Sequence, residues 1–173
     1  MIQQLLQRVV EDNSSLVDEP SIPSPAEELG QGVPTLKPEF YRPFTPMLKA
    51  RFEQFGAWQA ATHANWLSLT EMVKLWNNSA DTGISSTKKM LEIISENWPN
   101  DAIALFKPER ISVFAAQDTG NERIYLLWFD FSDEPEVWVY DANGEAHYKN
   151  LEMYFTAFLD DNLSAFENRW ILG

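Results

Sequence analysis

Two histidines and a set of clustered carboxylates are the residues whose types and spacing suit chemistry at neutral pH. His63 sits in an Ala-rich stretch beside Asn65, and His147 follows an Asn143-Gly144 turn. Neither has a second histidine at ligand spacing, and zinc sites gather three or four ligands, so both read as ordinary surface or core side chains. Asp118 and Glu122 flank a tight turn. Such a pair suits acid and base roles or a divalent ion, although acidic residues also favour turns for conformational reasons. The chain has no cysteine, which removes disulfides, thiolate zinc sites, iron–sulfur clusters and cysteine nucleophiles together. It also lacks a Gly-rich phosphate loop, a G-x-S-x-G elbow and an H-E-x-x-H pair. These residues predict a non-enzymatic protein without a cofactor.

A second group of acids, Asp130, Asp133, Glu134 and Glu136, gathers around one expected turn. If the flanking strands form a hairpin, these carboxylates converge at one end of a sheet as a negative edge that steers a basic partner; the alternative is a solvated turn. Trp128, Trp138 and Tyr140 alternate with those acids. Strand aromatics at period two mostly face a core, and an exposed one would be a binding anchor.

The whole chain shares this charge. Its 173 residues carry 13 Lys+Arg against 26 Asp+Glu, a formal net charge of -13. From Asp101 onward fourteen residues are acidic and five basic. Phosphate backbones are bound by clustered Lys and Arg that release counterions, so no nucleic-acid partner is expected. The chain is 45% hydrophobic with 7 Trp and 11 Phe, too apolar for a disordered acidic chain and sized for one domain. Its densest apolar run, around Tyr125 to Phe129, falls far short of the roughly 20 residues that span a bilayer. No export signal or membrane anchor is visible at Met1 to Val10, so a cytoplasmic location and no membrane partner are expected.

The elements that must position these residues follow from period and punctuation. Ile2, Leu5, Leu6, Val9 and Val10 recur at helical spacing. Seven prolines between Asn13 and Pro46 then predict an extended arm over the domain, with one helical turn at the capping box Ser24-Pro25-Ala26-Glu27. The division expected is a helix and Pro-rich arm over 1–45 and an α+β domain over 46–173. Thr45-Pro46 starts a helix through Met47 to Phe55, which Gly56 ends; Ala57 to Asn65 has no clear period. Ser68-Leu69-Thr70-Glu71 caps a helix to about Asn78, and Lys88 to Trp98 reads as another closed by Pro99.

Beyond Pro99 the period becomes that of strands: Ile103 to Phe106, Ile111 to Ala116, Arg123 to Phe131, Val137 to Tyr140 and Ala146 to Tyr148. Arg123 to Phe131 is apolar on both faces, as a central strand would be. Asn150 caps a helix with Leu151, Tyr154, Phe155, Phe158 and Leu159 on one face, and Leu163 to Leu172 forms one more. The plan is α+β: one domain with a mostly antiparallel sheet of four to six strands flanked by helices.

Three passages resemble the SUKH superfamily of fungal cell-wall assembly regulators and bacterial toxin-immunity proteins. Leu67-Ser68-Leu69-Thr70-Glu71-Met72-Val73 is similar to its strand-into-helix step. Ile111 to Glu122 leading into Ile124-Tyr125-Leu126-Leu127-Trp128 resembles its strand, polar Gly turn and strand. Val137-Trp138-Val139-Tyr140-Asp141 followed by Leu151-Glu152-Met153-Tyr154-Phe155 resembles its last hairpin and closing helix. The resemblance covers about Arg51 to Leu159, and its turn reads Gly120-Asn121-Glu122 where the family often has Gly-Gly or Gly-Asp. It implies a SUKH-like fold and an immunity-type protein that binds a cognate toxin, often a nucleic-acid-acting enzyme, and blocks its active site. Under that reading Asp118, Glu122, Asp130, Asp133, Glu134 and Glu136 stand in for substrate phosphates against a basic cleft. The alternative is a regulatory scaffold that binds an endogenous partner through the same fold or the N-terminal helix and arm.

Overall fold

The computed structural model describes residues 1–15, 21–62, 64–76, 107–117, 122–141 and 144–162. The expected helices at Lys88 to Trp98 and Leu163 to Leu172, the strand at Ile103 to Phe106, and Asp118, His63 and Asn143 lie outside them.

The helical spacing at the N-terminus produces α1 (Ile2–Ser14), which buries Leu5, Leu6 and Val9. Near its end Asn13 is also buried, because its amide donates to the carbonyls of Val9 at 2.9 Å and Ala61 at 3.0 Å. A buried amide that satisfies two acceptors holds α1 in a fixed place over the 57–62 segment.

The Pro-rich arm is extended over the domain, but its capping-box pattern makes no helical turn. Ser24 instead pairs with the chain after α2 (Pro46–Gln54), donating to Ala57 at 2.8 Å and accepting from Gly56 at 2.9 Å. Glu27, released from any capping role, accepts from the backbone N–H of Thr70 at 2.9 Å. Tertiary hydrogen bonds win over the local box: the Ser24 carbonyl that a first helical turn would use accepts from Gly56, and the Glu27 carboxylate is taken by Thr70. Gly56 is required here: a Cβ would stand 2.4 Å from the Pro25 carbonyl oxygen.

The arm then makes a hairpin that sequence period did not show, β1 (Val33–Pro34) against β2 (Tyr41–Arg42). It is tied down from both sides. Thr35 accepts from Trp76 Nε1 at 2.7 Å, and the Leu36 N–H donates to Ile111 at 2.8 Å.

The helix at Thr45-Pro46 forms as its signals require, with Thr45 as N-cap and Pro46 first in the helix. The Ser68-Glu71 capping box is complete in both directions and opens α3 (Leu69–Lys74) directly after β3 (Asn65–Trp66). Four longer strands follow a 3-10 turn at Pro108–Arg110: β4 (Ile111–Ala116), β5 (Arg123–Leu127), β6 (Glu136–Asp141) and β7 (Gly144–Tyr148). The closing helix is α4 (Leu151–Leu159), whose N-cap Asn150 accepts from Met153 at 3.0 Å.

The five-stranded sheet is an antiparallel meander in the order β3-β4-β5-β6-β7, so the fold is α+β. β5 is its middle strand and is buried at all five residues, in keeping with its apolar pattern on both faces. It ends at Leu127, however, and not at Phe131. Leu127 pairs with Glu136, so residues 128–135 form the connecting loop.

The core centres on Trp66, whose ring lies 5.2 Å from Trp58, 5.3 Å from Phe114 and 5.2 Å from Phe155. Leu5, Leu6, Val9 and Val33 belong to this same core, so α1 and the β1–β2 hairpin pack as part of the domain. The apolar face of α1 is spent on α4 and α2, which leaves its polar face outward.

Candidate protein-binding surface

Of the six carboxylates singled out from sequence, four meet in or beside the β5–β6 loop. Glu122 lies just before β5 and Asp130 beyond its other end, so the whole length of the strand separates them. Glu122 closes its own end of the sheet, accepting from the Gln117 side-chain amide while its carbonyl accepts from the Gln117 N–H at 3.2 Å. The expected Asp118–Glu122 pair cannot be placed, since Asp118 is outside the described residues.

The loop acids differ in what they do. Asp130 bridges two arginines, accepting from Arg110 at 2.8 Å and Arg42 at 3.3 Å. Arg42 gets there because the β1–β2 hairpin docks on the start of β4, where its Nε also donates to the Glu109 carbonyl at 3.0 Å. Glu134 reaches the N-terminus of α2, taking the Met47 N–H at 3.0 Å and the Thr45 hydroxyl. A carboxylate at that position satisfies an orphan donor and complements the helix dipole. Glu136 accepts from Trp138 Nε1 at 3.0 Å. Asp133 is exposed and has no side-chain partner among the described residues.

The negative edge is thus partly spent inside the molecule. Asp130 keeps 65% of its side chain exposed while its two arginines are recessed at 19% and 27%, so Asp130 and Asp133 are the acids this loop turns to solvent. Arg42 and Arg110 were not legible as partners, being far from Asp130 in sequence and joined to it by the fold alone.

Beside Asp130 and Asp133 stands Phe131, 78% exposed. Its ring stacks on half-buried Phe129 at 5.2 Å between centroids. Sequence period assigned both rings to a strand, where they would have pointed the same way into the core.

Two buried groups lie away from this surface. Arg51 has no exposure and donates to the carbonyls of Phe55, Gly56 at 2.9 Å and Leu67 at 3.0 Å. Its guanidinium lies 4.3 Å from the Phe52 ring centroid. Burial pushes it down to about 9, partly offset by Glu71 and Glu27. Tyr125, on the central strand, has its phenol pushed up to about 12 by burial against the opposing pull of Arg123.

His147 lies flat on Trp138 at 3.8 Å. Among the described residues no group of three His, Cys, Asp or Glu is placed to hold a metal ion, and no helix is long and apolar enough to cross a membrane. Comparison with protein-family models, curated proteins and solved structures finds no match to this chain.

Proposed function

We propose that this chain is a non-enzymatic, immunity-type protein that binds a cognate toxin and occludes its active site. The observation that carries the reading is the order of elements in the three passages that resemble SUKH proteins. β3 runs into the capped helix α3, β4 and β5 pair as neighbours, and the β6–β7 hairpin leads into α4. The excess of acid supports a basic partner, and Asp130 and Asp133 are the loop carboxylates exposed to solvent.

The test is co-expression with the protein encoded beside its gene. A stable complex that abolishes that protein's toxicity is expected; a toxic neighbour that neither binds nor is neutralised overturns the reading. Within such a complex Asp133→Lys should slow association and flatten its salt dependence, with little change in dissociation, because an exposed rim charge acts mainly on encounter. Glu134 is unsuitable for that reversal, since it also holds the start of α2.

A further inference from the structure

The β5–β6 loop has a regular division of labour. Its even-numbered residues each bond to another group of the molecule. Trp128 donates its backbone N–H to Arg110 at 2.8 Å and its indole N–H to Ser112 at 3.0 Å. Asp130 takes its two arginines, the Ser132 hydroxyl donates to the Glu134 carbonyl at 2.6 Å, and Glu134 holds α2. Of the odd-numbered residues between them, Phe129 is half-buried against the core, and Phe131 and Asp133 are exposed. The turn that lifts Phe131 is closed by the Ser132 N–H on the Phe129 carbonyl at 3.2 Å.

Single exposed apolar residues are ordinary on a protein surface. Phe131 differs in three respects. It is the one exposed aromatic among the large exposed hydrophobic residues described, the others being Met1, Ile22 and Met153. It is backed by a second ring, which limits where it can swing. And the loop around it is tied to other elements through Trp128, Asp130 and Glu134, which lowers the conformational entropy to be lost when the ring is buried. A rigid aromatic on a braced support is the composition of an interface hot spot.

We propose that Phe131 is the apolar anchor of a protein-docking surface, seating in a pocket that the partner rims with Lys and Arg. The partner's charge follows from Asp133, exposed and without a side-chain partner among the described residues, on a chain of net charge -13; Asp130 adds to it only in part, being already paired with Arg42 and Arg110. A second copy of this chain would bring like charges together, and a phosphate backbone would do the same. The inference rests on the proposed function only in taking the partner to be a protein.

The experiment places the photo-crosslinking amino acid p-benzoylphenylalanine at position 131 in the cells that make the protein, with position 153 on α4 as control. The captured polypeptide is then purified and titrated against wild type, Phe131→Ala and Phe131→Tyr. Expected are an adduct at 131 and not at 153 with a basic polypeptide, a loss of affinity of about tenfold or more for Phe131→Ala, mostly in dissociation, and near-wild-type binding for Phe131→Tyr. The absence of an adduct, equal adducts at both positions, an adduct with a second copy of this chain, or unchanged affinity for Phe131→Ala overturns it. The two proposals separate cleanly. A basic partner without toxicity that needs Phe131 upholds the anchor and overturns immunity, whereas a neutralised toxin indifferent to Phe131 does the reverse.

Discussion

A guanidinium without a carboxylate in hydrogen-bond reach is a costly thing to bury; Arg51 offsets part of that cost with three backbone carbonyls and the rings of Phe52, Trp66 and Phe114, while its Nε has no partner among the described residues. Those carbonyls belong to Phe55, Gly56 and Leu67, so one side chain joins the end of α2 to the segment between β3 and α3. Arg51→Met removes the charge but strands the acceptors, and urea unfolding should show a loss of about 3 kcal/mol. An unchanged midpoint would mean that relief from desolvation outweighs the carbonyls. Tyr125 predicts a pH effect of definite sign. Its phenol is raised from 10.0 to about 12 in the folded chain, so between those values the native state binds more protons than the unfolded one. Its contribution is full below pH 10 and is lost as pH rises toward 12. Wild type should therefore lose up to about 2 kcal/mol relative to Tyr125→Phe across that window, read from urea midpoints at its two ends. Arg51 is common to both chains and cancels. Neither burial was legible in sequence, since both side chains acquire their surroundings from distant segments.

Among the elements, the helices were the most legible because their caps are local. Thr45-Pro46, the Ser68-Glu71 box and Asn150 each name a helix start within four residues of chain. The same local logic failed at Ser24 to Glu27, where a valid box lost to tertiary pairing with Gly56 and Ala57. It failed again at Arg123 to Phe131, since apolar composition continues past Leu127 although the ladder stops there. The two-residue strands β1, β2 and β3 are too short to have a readable period. The acids were legible as a cluster, but not as helix cap, arginine bridge and free rim charge. Glu134 tests the distinction. Glu134→Ala should cost about 1 kcal/mol by thermal or urea unfolding, and Glu134→Gln less, because an amide oxygen still accepts from Met47.

At the scale of the whole molecule, α1 finds within the fold the partner surface that its helical spacing calls for, with Leu5, Leu6 and Val9 in the core. Leu6 and Val9 have no exposure, and a scaffold role for this helix would have to use its polar face. Leu6→Ala should cost about 2–5 kcal/mol of unfolding free energy, and removal of residues 1–15 should abolish cooperative unfolding, as followed by circular dichroism. Retention of a sharp transition would show that the rest of the chain folds without α1. The pairing of α1 with α4, marked at the surface by the ion pair of Arg8 with Asp160, also sets an order of events in synthesis. These two residues are 152 positions apart. At about 5–20 residues per second, the ribosome releases α1 on the order of ten seconds or more before the α4 that covers it. Until then Leu5, Leu6 and Val9 have no α4 to pack on, so the nascent chain offers chaperones a hydrophobic stripe that the finished protein conceals.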